Sequence, residues 1–387
     1  MHIIDSYALN CGLKISKPYI YEKFTPIPHE KYIALDVLDK SEAKHYSYWQ
    51  EVIFLINDAL AKESIKIIQI GDKNEAPLID TLFLPDLNFN QKAYIIKNSL
   101  LYAGIDSALM HVASHYDIPI VALYCNSNPK NTGPYFNTKK SLIIESPKIK
   151  PSFNDQEMPK TINKIKPEEI AKGILNSLNI NSGIKRDTLF MGDAFHASIT
   201  EMVPDSPVDI RPLNIPFINV RMDYLFNQQV LAAQLEHFKC AILTDKPISI
   251  DIFKKYKENL VKLYLILDEN TDFKYLEALH SNNIDFNMIS FLENEKTNKL
   301  KIHTMDYGII AEAPDIINVN RLNDFKKYKN LKFRSSKLIL GNGKAYPSFY
   351  HYKNNINFKN NNLEIMDFVY NDDLFAKDLD YYSIFQA

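Results

Sequence analysis

The sequence predicts an α/β protein made of two Rossmann-like domains, and three features carry that expectation. Short apolar runs of the kind that form doubly covered parallel strands alternate with longer segments of helical period. The alternation occurs twice, on either side of the polar stretch from Asn179 to Arg186. Sharp turns follow several of the runs, at the carboxyl ends where open α/β sheets hold their ligands.

Along the first half, Tyr32 to Leu35 reads as a strand and Lys44 to Glu51 as the start of a helix. Ile65 to Gly71 is a strand ending in a glycine turn, with Glu75 just beyond it. Asn90 to Leu101 reads as a helix with Tyr94, Ile95 and Leu101 apolar. A turn at Gly104 and Ile105 leads to Asp106 and Ser107, which cap a helix carrying Leu109, Val112 and Ala113 inward, with His111 in its first turn. Ile118 to Tyr124 is the next buried parallel strand, and the Asn126 to Pro134 loop leaves its end. Lys166 to Leu178 closes the half as a helix with Pro167 near its first turn. Trp49, the single tryptophan, reads as core.

A helix amino end carries unpaired N–H groups and about half a positive charge, so it suits an anion such as a diphosphate. The helix after Ser107 and the Thr132-Gly133-Pro134 loop converge on one crevice, and His111 adds a donor. Taken singly, Asp106 and Ser107 are ordinary caps; their ordered combination with the downstream loop points to an anion site such as a diphosphate would occupy.

This pair of blocks resembles the donor half of the family 9 glycosyltransferases, the ADP-heptose:lipopolysaccharide heptosyltransferases. The family pattern is roughly Asp-Ser/Thr-Gly-x-x-His-hydrophobic-Ala, then Pro-hydrophobic-hydrophobic-x-Leu-hydrophobic-Gly, then a Thr-Gly-Pro loop. Asp106, Ser107, His111, Ala113, Pro119, Leu123, Thr132, Gly133 and Pro134 fit it, while Ala108 and Cys125 stand where the family has glycine. The resemblance is clearest over residues 30 to 180, where Lys44 opens a segment similar to the family's Lys-x-aromatic helix start. It implies a GT-B protein, with two Rossmann-like domains facing across a cleft and the donor-like half first. The donor-binding residues it implies are Lys44, Gly71, Asp106, Ser107, Ala108, His111, Thr132 and Gly133.

The expected domains are residues 1–182, binding the donor, and 183–387, the acceptor side. In the second half, Thr188 to Met191, Ala241 to Thr244, Leu263 to Leu267 and Phe286 to Ser290 read as strands, and Ile250 to Glu258 and Tyr275 to Ser281 as helices. Met191-Gly192-Asp193-Ala194-Phe195-His196 resembles the family's Gly-Asp-x-hydrophobic-His turn, whose aspartate is taken as the base. Asp193 is thus the candidate base with His196 beside it; the bland reading makes Asp193 a cap of a following helix. Arg221 and Asp223 read as a cleft pair or a loop ion pair, Gly341 to Lys344 as a hairpin turn, and Asn354 to Asn362 as a loop.

Composition narrows the remainder. With 46% hydrophobic and 24% charged residues the chain is ordinary globular protein, and a formal net charge of -2 attracts neither nucleic acid nor anionic lipid. No apolar run reaches the roughly 18 residues of a membrane span, Met1 to Leu9 lacks a signal-peptide pattern, and a cytoplasmic location is expected. Three widely spaced cysteines suggest neither disulfides nor a metal site. Metal-dependent transferases usually carry an Asp-x-Asp ligand pair; none is assigned here, Asp372, Asp373, Asp378 and Asp380 being read as solvated tail charge. No metal or cofactor is therefore expected beyond the nucleotide-diphosphate sugar as co-substrate.

The leading function is inverting, metal-independent transfer of that sugar to a bacterial-type surface glycan. One alternative acceptor is a hydroxymethylated base in phage DNA, supported by the basic and aromatic patch of Lys344, Tyr346, His351 and Lys353. A non-catalytic GT-B-like binding module is the third class.

Overall fold

A computed structural model describes residues 1–38, 40–73, 75–147, 160–312, 315–359 and 364–387. The chain divides into two compact units, Met1–Thr188 and Leu189–Ala387.

Unit 1 holds six strands, β1 (Tyr32–Asp36), β2 (Lys66–Ile70), β3 (Leu82–Leu84), β4 (Leu101–Ile105), β5 (Ile120–Tyr124) and β6 (Ser141–Glu145). Its helices are α1 (Ile3–Cys11), α2 (Trp49–Lys62), α3 (Phe89–Lys97), α4 (Ala108–His115), α5 (Pro129–Thr132) and α6 (Pro167–Ser177). The sheet order is β3-β2-β1-β4-β5-β6 with every neighbour parallel. Strands β1, β4 and β5 are buried along their whole length, because helices cover both faces and no polar alternation is needed. Tyr32, Ala34, Tyr102, Ile120 and Ala122 pack with Ala93 and Ile96 of α3 and with Met110 and Ala113 of α4. On the other face α2 packs on α6, whose Gly173 lies so close to Leu142 that a Cβ would come within 2.7 Å of it. Trp49 is core, as its sequence context suggests.

Two local expectations are corrected. The helix anticipated from Asn90 to Leu101 is α3, opened by a reciprocal capping box between Asn88 and Gln91 and finished at Lys97; Leu101 belongs to the buried strand β4. Lys44 does not open α2. It ends a 3-10 turn, Glu42–Lys44, and α2 starts at Trp49, which leaves the Lys44 ammonium free to cross to the end of β4. Arg186, closing the polar stretch after α6, is held by Glu51 of α2 at 2.8 Å and Glu168 of α6 at 3.1 Å.

Strand β7 (Asp187–Met191) begins in the last two residues of unit 1, and unit 2 continues with β8 (Ile199–Met202), β9 (Ile218–Arg221), α7 (Gln228–His237), β10 (Cys240–Thr244), α8 (Ile250–Lys255) and β11 (Leu260–Leu267). Then follow α9 (Phe273–Ser281), β12 (Phe286–Ser290), α10 (Asn294–Thr304), β13 (Ile310–Glu312), α11 (Asp315–Phe325), β14 (Leu331–Ser335) and β15 (Lys337–Gly341). The unit closes with β16 (Lys344–Tyr346), α12 (Phe349–Lys353), β17 (Met366–Asp367), α13 (Asp373–Lys377) and β18 (Tyr382–Gln386). One sheet runs β13-β12-β11-β10-β9-β8-β15-β16 and is parallel except for the final hairpin, whose Asn342 and Gly343 both have positive φ. A primed hairpin turn requires that, as the Gly341 to Lys344 string anticipates. Both units are thus α/β with an open parallel sheet.

The four-stranded sheet β17-β14-β18-β7 is the departure in this half. Strand β7, anticipated as the first strand of a Rossmann sheet, lies here instead, and β8 leads the parallel sheet. Gly192 and Ala194 donate to the carbonyls of Tyr382 and Asp380 at 2.8 and 2.9 Å. A Cβ on Gly192 would stand 2.1 Å from the Asp380 carbonyl oxygen, so glycine is what permits this approach. Of the asparagine-rich stretch, residues 354–359 follow α12 without regular structure, and Asn360 to Asn362 lie outside the described residues.

Candidate functional site

In unit 1 the chain leaves β1 for β2 on one side while β4 pairs on the other, and this reversal is where open α/β sheets place ligands. Asp36 ends β1 directly opposite Gly104 of β4. A side chain on Gly104 would collide with the Asp36 carbonyl at 2.7 Å and the Tyr102 hydroxyl at 2.8 Å. Through the space so left, Tyr102 and Ser107 each donate to Oδ2 of Asp36 at 2.7 Å. The Ser107 oxygen in turn accepts the Leu109 N–H at 3.2 Å and caps α4, as its position suggests.

Asp106 is the second carboxylate at this helix end. The Lys44 ammonium donates to its carbonyl at 2.9 Å and pairs with its Oδ2 at 3.2 Å, and the Ser127 hydroxyl donates to the same Oδ2 at 2.5 Å. Lys44, Asp106 and Ser107 therefore do converge, joined by Asp36, Tyr102 and Ser127. Burial raises the pKa of Asp36 to about 6, against the lowering hydrogen bonds from Ser107 and Tyr102.

Ala108 is the first residue of α4 and is exposed. Its helical backbone has no need of glycine. His111, half-buried one turn on, has its pKa lowered by burial, which outweighs the pull of Asp106, so the imidazole is neutral at pH 7. Ala108 and His111 line an apolar cavity of about 210 Å³ with Phe89, Tyr135, Phe136 and Ile4. Thr132 and Gly133 are held by main-chain contacts: Tyr124 donates to the Thr132 carbonyl at 3.1 Å, and the His2 ring meets the Gly133 carbonyl at 3.1 Å. Gly133 faces the Pro129 carbonyl, where a Cβ would come within 2.4 Å. Gly71, just past β2, packs on Glu75, whose Oε1 accepts the Asp72 N–H at 3.0 Å. Cys125 is buried with its thiol toward the Ala43 carbonyl.

Asp36, Tyr102 and Ser127 are not singled out by the motif. The signal for Asp36 is a lone acid closing an otherwise apolar strand, Tyr-Ile-Ala-Leu-Asp, at the first strand's carboxyl end.

In unit 2, Asp193 and His196 are exposed in consecutive turns between β7 and β8, in which Phe195 bonds the Gly192 carbonyl and Ala197 that of Ala194. A strand follows, not a helix, so the cap reading of Asp193 falls away. Arg221 and Asp223 form no solvated loop pair. Arg221 reaches Glu201 at 2.9 Å and Asp223 at 2.8 Å, its guanidinium 3.6 Å from the centre of the Tyr224 ring, which stacks on Phe349.

Lys337, 3% exposed, joins Glu201 at 3.1 Å and Asp378 at 2.6 Å. Asp378 also accepts the Phe349 N–H at 3.0 Å. Burial works against the Lys337 ammonium, but the Asp378 and Glu201 carboxylates outweigh it and raise its pKa. Asp378 is consequently a buried structural acid, not tail charge, although Asp378-Leu379-Asp380 does have Asp-x-Asp spacing. Asp372 caps α13. Among the described residues, no group of three or more His, Cys, Asp or Glu is arranged to hold a metal.

The basic patch proposed around Lys344 does not form. Tyr346 is buried, and His351 is buried against Ser348 with its pKa pushed down to about 4 by burial. The residue-level support for a DNA acceptor goes with it. Among the described residues no helix is long and apolar enough to cross a membrane.

An open parallel α/β sheet with a polar cluster at the strand reversal gives unit 1 the architecture of the Rossmann kind. Residues 28–162 match the model of glycosyltransferase family 9 (heptosyltransferase), so the likeness lies within unit 1. The chain is similar to the solved glycosyl transferase family 9 from Veillonella parvula DSM 2008, at 18% identity over 39% of this chain and 46% of that one, TM-score 0.32. It is similar to E. coli heptosyltransferase WaaC with ADP at 17% identity, over 45% of this chain and 54% of that chain, TM-score 0.33. For E. coli ADP-heptose lps heptosyltransferase II the values are 17%, 45%, 50% and 0.31. The matched stretch spans about half the length of these structures. No curated protein matches the chain.

Lys337→Met should destabilise unit 2 by about 3 to 5 kcal/mol, because it leaves Asp378 buried without its cation while Glu201 keeps only Arg221. Urea unfolding measures this. A loss below about 1 kcal/mol would mean that the network is solvated.

Proposed function

We propose that the chain is a glycosyltransferase that uses a nucleotide-diphosphate sugar, with unit 1 as its donor-binding half. The carrying observation is the coincidence of the family match with the Lys44, Asp106, Ser107 and Asp36 cluster at the strand reversal. The diphosphate docks at the amino end of α4, where N–H groups and the helix dipole favour negative charge. Lys44 and His111 flank it, and the Thr132-Gly133 turn and Gly71 shape the approach.

The second unit carries the acceptor, a surface glycan, and the reaction proceeds in the cytoplasm with inversion. An acceptor hydroxyl attacks the anomeric carbon, its proton passes to a base, and the C–O bond to the diphosphate breaks on the opposite face. Asp193 is the proposed base, an exposed carboxylate open to substrate, with His196 three residues on. Glu201 is a poor substitute because Arg221 and Lys337 occupy it.

A thermal-shift screen of sugar nucleotides tests the donor reading, since a ligand at 100 times its dissociation constant stabilises by about 2.7 kcal/mol. His111→Ala should then weaken the bound donor by about 1 to 3 kcal/mol, as for a lost bond to a charged group, and unchanged affinity by calorimetry would remove His111 from the site. Turnover should persist in EDTA, because fixed dipoles and Lys44 take the place of a metal; loss of activity with rescue by manganese or magnesium overturns that view. Asp193→Asn should cut turnover about 10²- to 10⁴-fold while leaving donor affinity intact. A folded variant with near-normal turnover would transfer the role to another group, His196 first.

A further inference from the structure

A diphosphate docked at the amino end of α4, as the donor reading holds, approaches a helix end that already carries two acids. Asp106 is answered by Lys44, but among the described residues no lysine or arginine lies within ion-pair distance of Asp36. Two carboxylates thus face one ammonium, and His111 is neutral. A diphosphate arriving here adds negative charge to a corner where burial already opposes the ionised form of Asp36.

The groups around Asp36 are few. Tyr102 of β4 and Ser107 at the α4 cap donate to it, Lys92 of α3 acts on it from a distance while pairing with Asp72 at 2.8 Å, and Glu75 beyond β2 adds negative potential. The Ser107 hydroxyl gives its hydrogen to Asp36 and its lone pair to the Leu109 N–H, so it is not positioned to donate to a phosphate. What this corner offers an anion is therefore decided by the charge on Asp36.

We propose that Asp36 takes up a proton from solvent when the diphosphate docks, so that the form which accepts the donor carries a neutral carboxyl held by Tyr102 and Ser107. Both hydroxyls donate to Oδ2, and a proton on Oδ1 leaves both hydrogen bonds in place. Burial has already brought the group to a pKa of about 6, so little is needed to protonate it near neutrality. The sign follows. Affinity is complete below the free-state pKa and declines as pH rises from there towards the higher pKa of the complex. Asp36 is a positioning residue in this scheme and makes no bond to the sugar.

The test is calorimetry on the full chain with ADP-glucose and with UDP-glucose, whose diphosphate diesters keep a constant charge across the range. Binding should be roughly tenfold or more weaker at pH 8 than at pH 6, one linked proton allowing up to about tenfold per pH unit. Heats in buffers of different ionisation enthalpy should show uptake of a fraction of a proton near pH 7. Asp36→Asn keeps an acceptor oxygen and is permanently neutral, so its affinity should be the same at both pH values, with no proton uptake. A pH dependence that survives in Asp36→Asn assigns the proton to His111 and overturns the proposal. So does wild-type binding that is independent of pH, which leaves the donor reading standing. If neither probe binds at any pH, the donor reading fails first and takes this one with it. Should Asp36→Asn not fold, Tyr102→Phe removes one hydroxyl that favours the ionised form, and the fall in affinity must then move to higher pH.

Discussion

Unit 1 depends on how closely β1 and β4 approach where the sheet reverses. Only a residue without a side chain fits at Gly104, since any Cβ there would meet the Asp36 carbonyl and the Tyr102 hydroxyl at once. That approach lets one carboxylate at the end of β1 gather a hydroxyl from β4 and another from the cap of α4. The start of α4 is consequently pinned to the sheet, and Lys44, arriving from before α2, pins Asp106 beside it. A site built on strand and helix ends holds its geometry better than one on loops.

The two units use buried acids differently. In unit 2, Glu201, Asp223 and Asp378 are matched by Arg221 and Lys337, and neighbouring rings of Tyr224 and Tyr381 cover the cations. Such a network fixes where β8, β9, β15 and the segment before β18 meet, and it gives little to a ligand because every acid has a partner. In unit 1 the acid at the strand end has hydroxyl partners and, among the described residues, no lysine or arginine within ion-pair distance. Those hydroxyls favour the ionised form, but burial opposes it more strongly, so this group is left able to change charge when an anion arrives.

Much of this was legible in the residues. The apolar runs at Tyr32, Ile65 and Ile118 mark strands because both sheet faces are covered, and the Asp106-Ser107 pair marks a helix start because Ser107 satisfies the Leu109 N–H. Asn342-Gly343 marks a hairpin because both residues tolerate positive φ. These are local rules, and local rules survive folding. Tertiary structure decided what no spacing encodes. It assigned β7 to the small sheet through main-chain bonds to Tyr382 and Asp380, nearly 190 residues along the chain. It turned Asp378 from tail charge into a buried partner of Lys337, and it hid His351 and Tyr346 in the core. Above all it brought Asp36 to Ser107 across 71 positions, because pairing between β1 and β4 depends on the whole parallel sheet rather than on either segment.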